Sequence, residues 1–332
     1  MSTRRLLVSS SQMKLHNIAI VGVGGVGGYF GGKLCRLRQA DPPANVSLVA
    51  RGEHLEAIKS SGLMLSTESD GELVCEPDLV TDDFSQLPDL DLCLVCVKQF
   101  DLTAALSKVN FAIGDATVIL PLLNGVDISV RVRGVIDRGI VLPACVYVGT
   151  HIERPGRVVQ RGGACRILMG PDPRRPDFAP HQLLELFHSV GIKSDWTLNI
   201  ESEIWSKYIF ICAFGLVSAA SGKTLGEICE AEALQRDVAT IIHEAVELAV
   251  AAGMSLPPGT AERSLAKASG FPYGAKTSFQ RDFERNDRCD ERDLFVGTMV
   301  RLADEFGVSI PRTREVAEVL EHKKPLPPTL RS

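Results

Sequence analysis

Asn17 to Arg51 constrains what this chain can fold into more than any other stretch. Ile18-Ala19-Ile20-Val21 is a short apolar run rich in β-branched residues, and it passes directly into Gly22-Val23-Gly24-Gly25-Val26-Gly27-Gly28. A segment of helical length follows, Tyr29 to Arg38, then a second apolar run, Val46 to Ala50, which ends at Arg51. Strand, glycine turn, helix and strand make the βαβ unit that binds a dinucleotide. Gly22 permits the tight turn, Gly24 lets a pyrophosphate approach the backbone, and Gly27 lets the helix pack closely on the strand. Gly25 and Val26 belong to the same cofactor-binding turn, where free N–H groups and the positive end of the helix dipole await phosphates.

The end of the second strand selects the cofactor. An NAD site usually carries Asp or Glu there to accept from the ribose hydroxyls. This chain carries Arg51, and the nearest acid is Glu53. A guanidinium pairs with a 2′-phosphate that an acid would repel, so the expected cofactor is NADP(H).

A length of 332 residues allows two domains with sizeable cores. Hydrophobic content of 45%, charged content of 23% and a net charge of −5 describe an ordinary globular chain without a nucleic-acid footprint. No apolar run reaches the expected membrane-spanning length; the longest candidate, Ile209 to Ala220, follows Lys207. The nine cysteines have no framework spacing and read as reduced core residues of a cytoplasmic protein. Cys93 and Cys96 fall in a predicted strand, on opposite faces, which argues against a redox or metal pair. The seven histidines show no ligand spacing, so no metal is expected. Residues 1–16 are basic and Ser-rich. A mitochondrial presequence has that composition, but the reading adopted is a flexible extension.

Residues 17–197 read as an NADP-binding Rossmann domain and 198–332 as an all-helical substrate and dimerisation domain. Within the first, Glu53 to Ser60 is a predicted helix, and Leu63 to Ser66 with Glu72 to Cys75 a hairpin. Leu90 to Val97 and Ala116 to Leu120 are predicted buried parallel strands. Lys98 and Asn124 lie just past their C-terminal ends, where ligands bind in open α/β sheets. Ile140 to Val148 and Arg157 to Met169 should extend that sheet, antiparallel. A helix, His181 to Val190, and a strand, Ile192 to Trp196, close the domain. Helices are then expected over Ser202 to Ser218, Glu230 to Ala252, Thr260 to Ser269, Glu291 to Phe306 and Arg312 to His322, with a loose tail from Pro325.

Hydride transfer to a ketone leaves developing charge on oxygen, which needs a proton donor. The second domain offers Lys207, with Phe210, Ile211 and Phe214 on or beside its helical face. A lysine against such a wall loses hydration and its pKa falls, which suits proton donation near neutral pH. The same residue equally reads as a lysine whose stem covers apolar surface while its head reaches water.

The glycine turn with Arg51, the strand ending in Val97-Lys98, the Leu123-Asn124-Gly125 turn, Trp205-Ser206-Lys207 and Lys276 to Asp282 together resemble the ketopantoate reductase (2-dehydropantoate 2-reductase) family. The resemblance implies a Rossmann domain, a helical C-terminal domain and NADPH-dependent reduction of a small 2-keto acid, ketopantoate to pantoate in pantothenate biosynthesis. It implies that Lys207 is the general acid, that Lys98 and Asn124 contact cofactor and substrate, and that Ser278 holds the substrate carboxylate. A glutamate of the family site matches Glu291, one residue further from Ser278 than expected, which leaves Asp290 open. Helical second domains of this kind often pair, so a homodimer is expected. The family's helix carries asparagines four and eight residues after the lysine, where this chain has Ile211 and Gly215. Those two substrate-binding positions are therefore apolar, and the alternative expectation is a paralogue that reduces a different, less polar 2-keto acid in place of ketopantoate. Loss of those polar groups also admits a non-catalytic NADP(H)-binding protein.

Overall fold

The computed structural model describes residues 15–285 and 289–324. Most of the expected N-terminal extension and the whole tail from Pro325 lie outside those residues. The predicted βαβ unit is present as β1 (Asn17–Val21), α1 (Gly25–Leu34) and β2 (Asn45–Val49), followed by α2 (Gly52–Ser61). The hairpin of β3 (Leu63–Thr67) and β4 (Gly71–Cys75) is antiparallel, as its Asp70-Gly71 turn predicts. Then come β5 (Leu79–Thr81), β6 (Leu90–Val95), α3 (Leu102–Val109), β7 (Ile113–Pro121), α4 (Ile128–Arg133) and β8 (Ile140–Val141). A parallel six-stranded sheet has the order β5-β2-β1-β6-β7-β8. Ranked along the chain, its strands run 3-2-1-4-5-6, the order that places a ligand crevice beside β1. β1 and β6 are buried on both faces over most of their length, which is why they read as nearly continuous apolar runs.

The expected antiparallel extension of this sheet is not what forms. Only Ile140–Val141 joins it, and in parallel. Pro143 has no N–H for a ladder, and the chain leaves the sheet there. β9 (Ala144–Tyr147), β10 (Thr150–Arg154), β11 (Arg157–Gln160) and β12 (Arg166–Met169) follow, then α5 (His181–Ser189) and β13 (Lys193–Trp196). They make two small sheets, β10-β11-β3-β4 and β13-β12-β9.

The remainder is helical: α6 (Ile200–Ser221), α7 (Leu225–Glu230), α8 (Glu232–Ala251), α9 (Thr260–Lys267), α10 (Ser278–Phe283), α11 (Thr298–Phe306) and α12 (Pro311–Lys323). α7 and α10 were not expected, and the helix predicted from Glu291 opens as a π-helical turn, Asp293–Gly297. At 22 residues, α6 is long and apolar enough to cross a membrane, longer than the apolar run read from sequence. It is nevertheless mostly buried within the protein, with α8, α9, α10 and α12 packed around it. One core cluster joins Val21, Val95 and Ile119 of the sheet to Tyr208, Cys212 and Leu216 of α6. The opposite face of the sheet packs Ile20, Leu48 and Leu94 against Phe30 of α1.

The glycine turn makes two contrasting predictions. A Cβ on Gly27 would sit 2.0 Å from the Gly22 carbonyl oxygen, whereas one on Gly24 would meet nothing within 4 Å. Gly27→Ala should therefore force helix and strand apart, at a cost of about 3 kcal/mol. Gly24→Ala should leave the urea midpoint nearly unchanged while weakening dinucleotide binding. Equal midpoints for the two variants would show that Gly27 does not hold the close packing.

Candidate active site

Register brings four loops to one edge. Val21 pairs with Val49 and with Val95, and Val95 with Pro121. The chain therefore leaves β1, β2, β6 and β7 at one level, delivering the glycine turn, Arg51, Lys98 and Asn124 to the same edge of the sheet. Gly22 has φ +96°, and a Cβ there would press on the Val97 backbone nitrogen at 2.8 Å. Gly28 N–H makes a helical bond to the Gly24 carbonyl at 2.8 Å, so the amides of Gly25, Val26 and Gly27 precede it and remain free of helical partners. No acid occupies the first turn of α1. Free donors, a positive dipole end and an open side above Gly24 fit the phosphates of a dinucleotide.

Lys207 reaches the Asn124 end of this edge from α6. Its Nζ donates to Asn124 Oδ1 at 2.8 Å and to the Val146 carbonyl at 2.6 Å. It also lies 5.5 Å from the centre of the Tyr147 ring. An ammonium has three N–H groups, so one remains for a ligand. Burial pushes the Lys207 pKa down, and the like charge of Lys267 adds to the depression. Lys267, from α9, lies over the same Tyr147 ring at 5.5 Å and over Phe210 at 5.0 Å. Burial also raises the Cys145 thiol and the Tyr147 phenol, so both are neutral beside the lysine. Of the predicted wall, Ile211 lines a recess with Lys207, and Tyr147 and Lys267 join the surroundings from other elements.

Lys98 donates to Asp282 at 2.7 Å and to Glu291 at 2.6 Å. Burial opposes its charge, but Glu291 and then Asp282 outweigh that, and its pKa is raised. This geometry separates the two acids left open by the sequence. Glu291 faces Lys98, whereas Asp290 is held by Arg292 at 3.0 Å. Nearby, Asp293 accepts from Gln99, Arg131 and Arg301. Ser278 is the exposed first residue of α10, where the Thr277 hydroxyl caps the helix by accepting from the Gln280 N–H.

A family model described as ketopantoate reductase PanE/ApbA matches residues 18–174, and its C-terminal counterpart matches residues 199–324. The chain belongs to the ketopantoate reductase family. A 2-dehydropantoate 2-reductase of Mesorhizobium japonicum is 28% identical over 310 residues, 87% of this chain and 91% of that one. The crystal structure of a PanE/ApbA family ketopantoate reductase from Ralstonia eutropha JMP134 matches with a TM-score of 0.82 and 29% identity, covering 92% of this chain and 98% of that one. D-mandelate dehydrogenase, solved with NADH and anilino(oxo)acetate, shares the fold with a TM-score of 0.79 at 22% identity, covering 92% of this chain and 97% of that one.

Within this ketopantoate reductase fold, the two positions that depart from the resemblance behave differently. Ile211 lines a small recess beside Lys207, with Asn124, Cys145 and Tyr208. Gly215 is buried one turn further on, and a Cβ there would lie 3.6 Å from the Phe279 ring. An aromatic side chain covers Gly215, so the apolar wall beside the lysine is Ile211. Residues that sequence reading gave no role are Tyr147, Lys267, Asp282 and Asp101. Asp282 lies inside the quoted Lys276 to Asp282 segment, and Asp101 three residues past Lys98. Their pairings cross the fold, and local spacing does not carry that information.

Proposed function

We propose that this protein reduces a 2-keto acid to a 2-hydroxy acid at the expense of NADPH. The observation that carries the reading is Lys207: an ammonium fixed by Asn124, at the end of β7, and by Val146, with one N–H to spare. Gly24 and the first amides of α1 would hold the phosphates, and Arg51 the 2′-phosphate. A reduced nicotinamide held there would supply the hydride, with both its electrons, that the ketone carbon accepts. Lys207 gives its spare proton to the oxygen that gains charge, and Asn124 and Val146 keep the amine in place afterwards. Asn124 orients the lysine and contacts the substrate, and Ser278 takes the carboxylate, as the family resemblance implies. Lys98 is held ready at the cofactor edge by Asp282 and Glu291. The apolar Ile211 favours a substrate less polar than ketopantoate.

The direct test follows NADPH absorbance with a panel of branched, aromatic and hydroxylated 2-keto acids. Turnover of at least one supports the reading; dinucleotide binding without turnover of any would leave a non-catalytic binder. Cofactor choice has its own test. Arg51→Ala should weaken NADPH by about 1.5 kcal/mol, the lower end for a charged hydrogen bond, because Arg51 also gives up a carboxylate partner. NADH binding should barely change. Equal losses for both cofactors, measured by calorimetry, would remove Arg51 as the reader of the 2′-phosphate.

A further inference from the structure

Arg51 does not stand alone at the end of β2. Its Nη2 lies 2.6 Å from Asp101 Oδ2, and its Nη1 lies 3.5 Å from Oδ1. Asp101 belongs to a one-turn 3-10 helix, Gln99–Asp101, in the loop after β6. β2 and β6 flank β1 in the sheet, so this pair bridges the two loops on either side of the glycine turn. The Arg51 side chain is 78% exposed and that of Asp101 31%. An acid missing from the sequence position where NAD sites carry one is thus supplied from the loop after a different strand.

We propose that Asp101 is a specificity-determining residue that competes with a 2′-phosphate for Arg51 and accepts the ribose 2′-hydroxyl of NADH, so that the protein uses both cofactors. This rests on the dinucleotide reading above. A guanidinium already engaged by a carboxylate is partly neutralised, and a phosphate must displace that carboxylate or lie beside it. The 2′-hydroxyl of NADH carries no charge, and a carboxylate accepts from it as the acid of an NAD site does. An exposed pair is weak, so a 2′-phosphate can open it at a modest loss of affinity. The two side chains therefore supply both kinds of recognition, and neither cofactor is rejected strongly.

The test measures dissociation constants of NADPH and NADH by calorimetry, without substrate, for wild type, Asp101→Asn, Arg51→Ala and the double variant. Wild type should bind the two within about thirtyfold of each other. Asp101→Asn should tighten NADPH by roughly fivefold, the scale of one exposed ion pair, and weaken NADH; unchanged NADH binding would remove Asp101 as the acceptor of the 2′-hydroxyl. In the Arg51→Ala background the same change should no longer tighten NADPH. A wild-type preference above about a thousandfold, or an unchanged ratio in Asp101→Asn, overturns the inference while leaving the reductase reading intact. Absence of all dinucleotide binding overturns both. Binding of both cofactors with the predicted ratios, but no turnover, supports this inference and defeats only the reductase reading.

Discussion

Lys207→Met should lower turnover on the best 2-keto acid by at least roughly a hundredfold, the usual scale of acid catalysis, with little change in NADPH affinity. Methionine keeps the unbranched stem that packs along the wall and removes only the ammonium. The donor's charge state sets the pH dependence. Burial lowers the Lys207 pKa, so the protonated donor is lost as pH rises through that depressed value. The alkaline fall in kcat should therefore begin below the ordinary lysine range. Lys207→Arg keeps a charge but not a proton that leaves readily, and it should be nearly as slow as methionine. Because Lys207 also ties Asn124 to Val146, the variants need a thermal melt beside the kinetics. Near-wild-type turnover in a folded Lys207→Met would end the proposed role.

Substrate preference gives the second kinetic test. With Ile211 beside the donor, the 4-hydroxyl of ketopantoate has no partner on that wall, and an unmet polar group costs about 1–3 kcal/mol. A 2-keto acid lacking that hydroxyl should match or exceed ketopantoate in kcat/KM. Ile211→Asn should move the ratio towards ketopantoate by roughly tenfold, the worth of one hydrogen bond. Changing Gly215 as well would be less informative, because an asparagine there must push against Phe279. A wild type that already prefers ketopantoate a hundredfold would refute the argument from Ile211.

The βαβ unit was legible because each of its signals is local: a run of four apolar residues, glycines at fixed offsets, then a helix. Lys98 and Asn124 were legible for a related reason, since a strand's end fixes where the next residues emerge. Beyond the local β3–β4 hairpin, the two small sheets were not, because their pairing depends on which distant strands lie within reach once Pro143 turns the chain aside. The missed helices α7 and α10 each carried a start signal. Thr224 and Glu227 form a reciprocal capping box, and Thr277 accepts from the Gln280 N–H three residues on. Their brevity hid them, since six residues scarcely show a helical period. In the site, Lys207 could be named from sequence, but its state could not. Tyr147, Cys145 and Lys267 approach it from elements that only the fold brings together.

The core that joins the sheet to α6 decides what can be cut from this molecule. Val21, Val95 and Ile119 belong to the same buried cluster as Tyr208, Cys212 and Leu216. A fragment ending before Ile200 would turn that side of its sheet to water, and a fragment beginning there would bare the flank of its longest helix. Neither half should therefore make a well-behaved reagent by itself, although the two supplied together have matching surfaces on which to reassemble. Dinucleotide bound at the glycine turn should likewise protect amides deep in α6 from exchange, at a distance from any atom it touches.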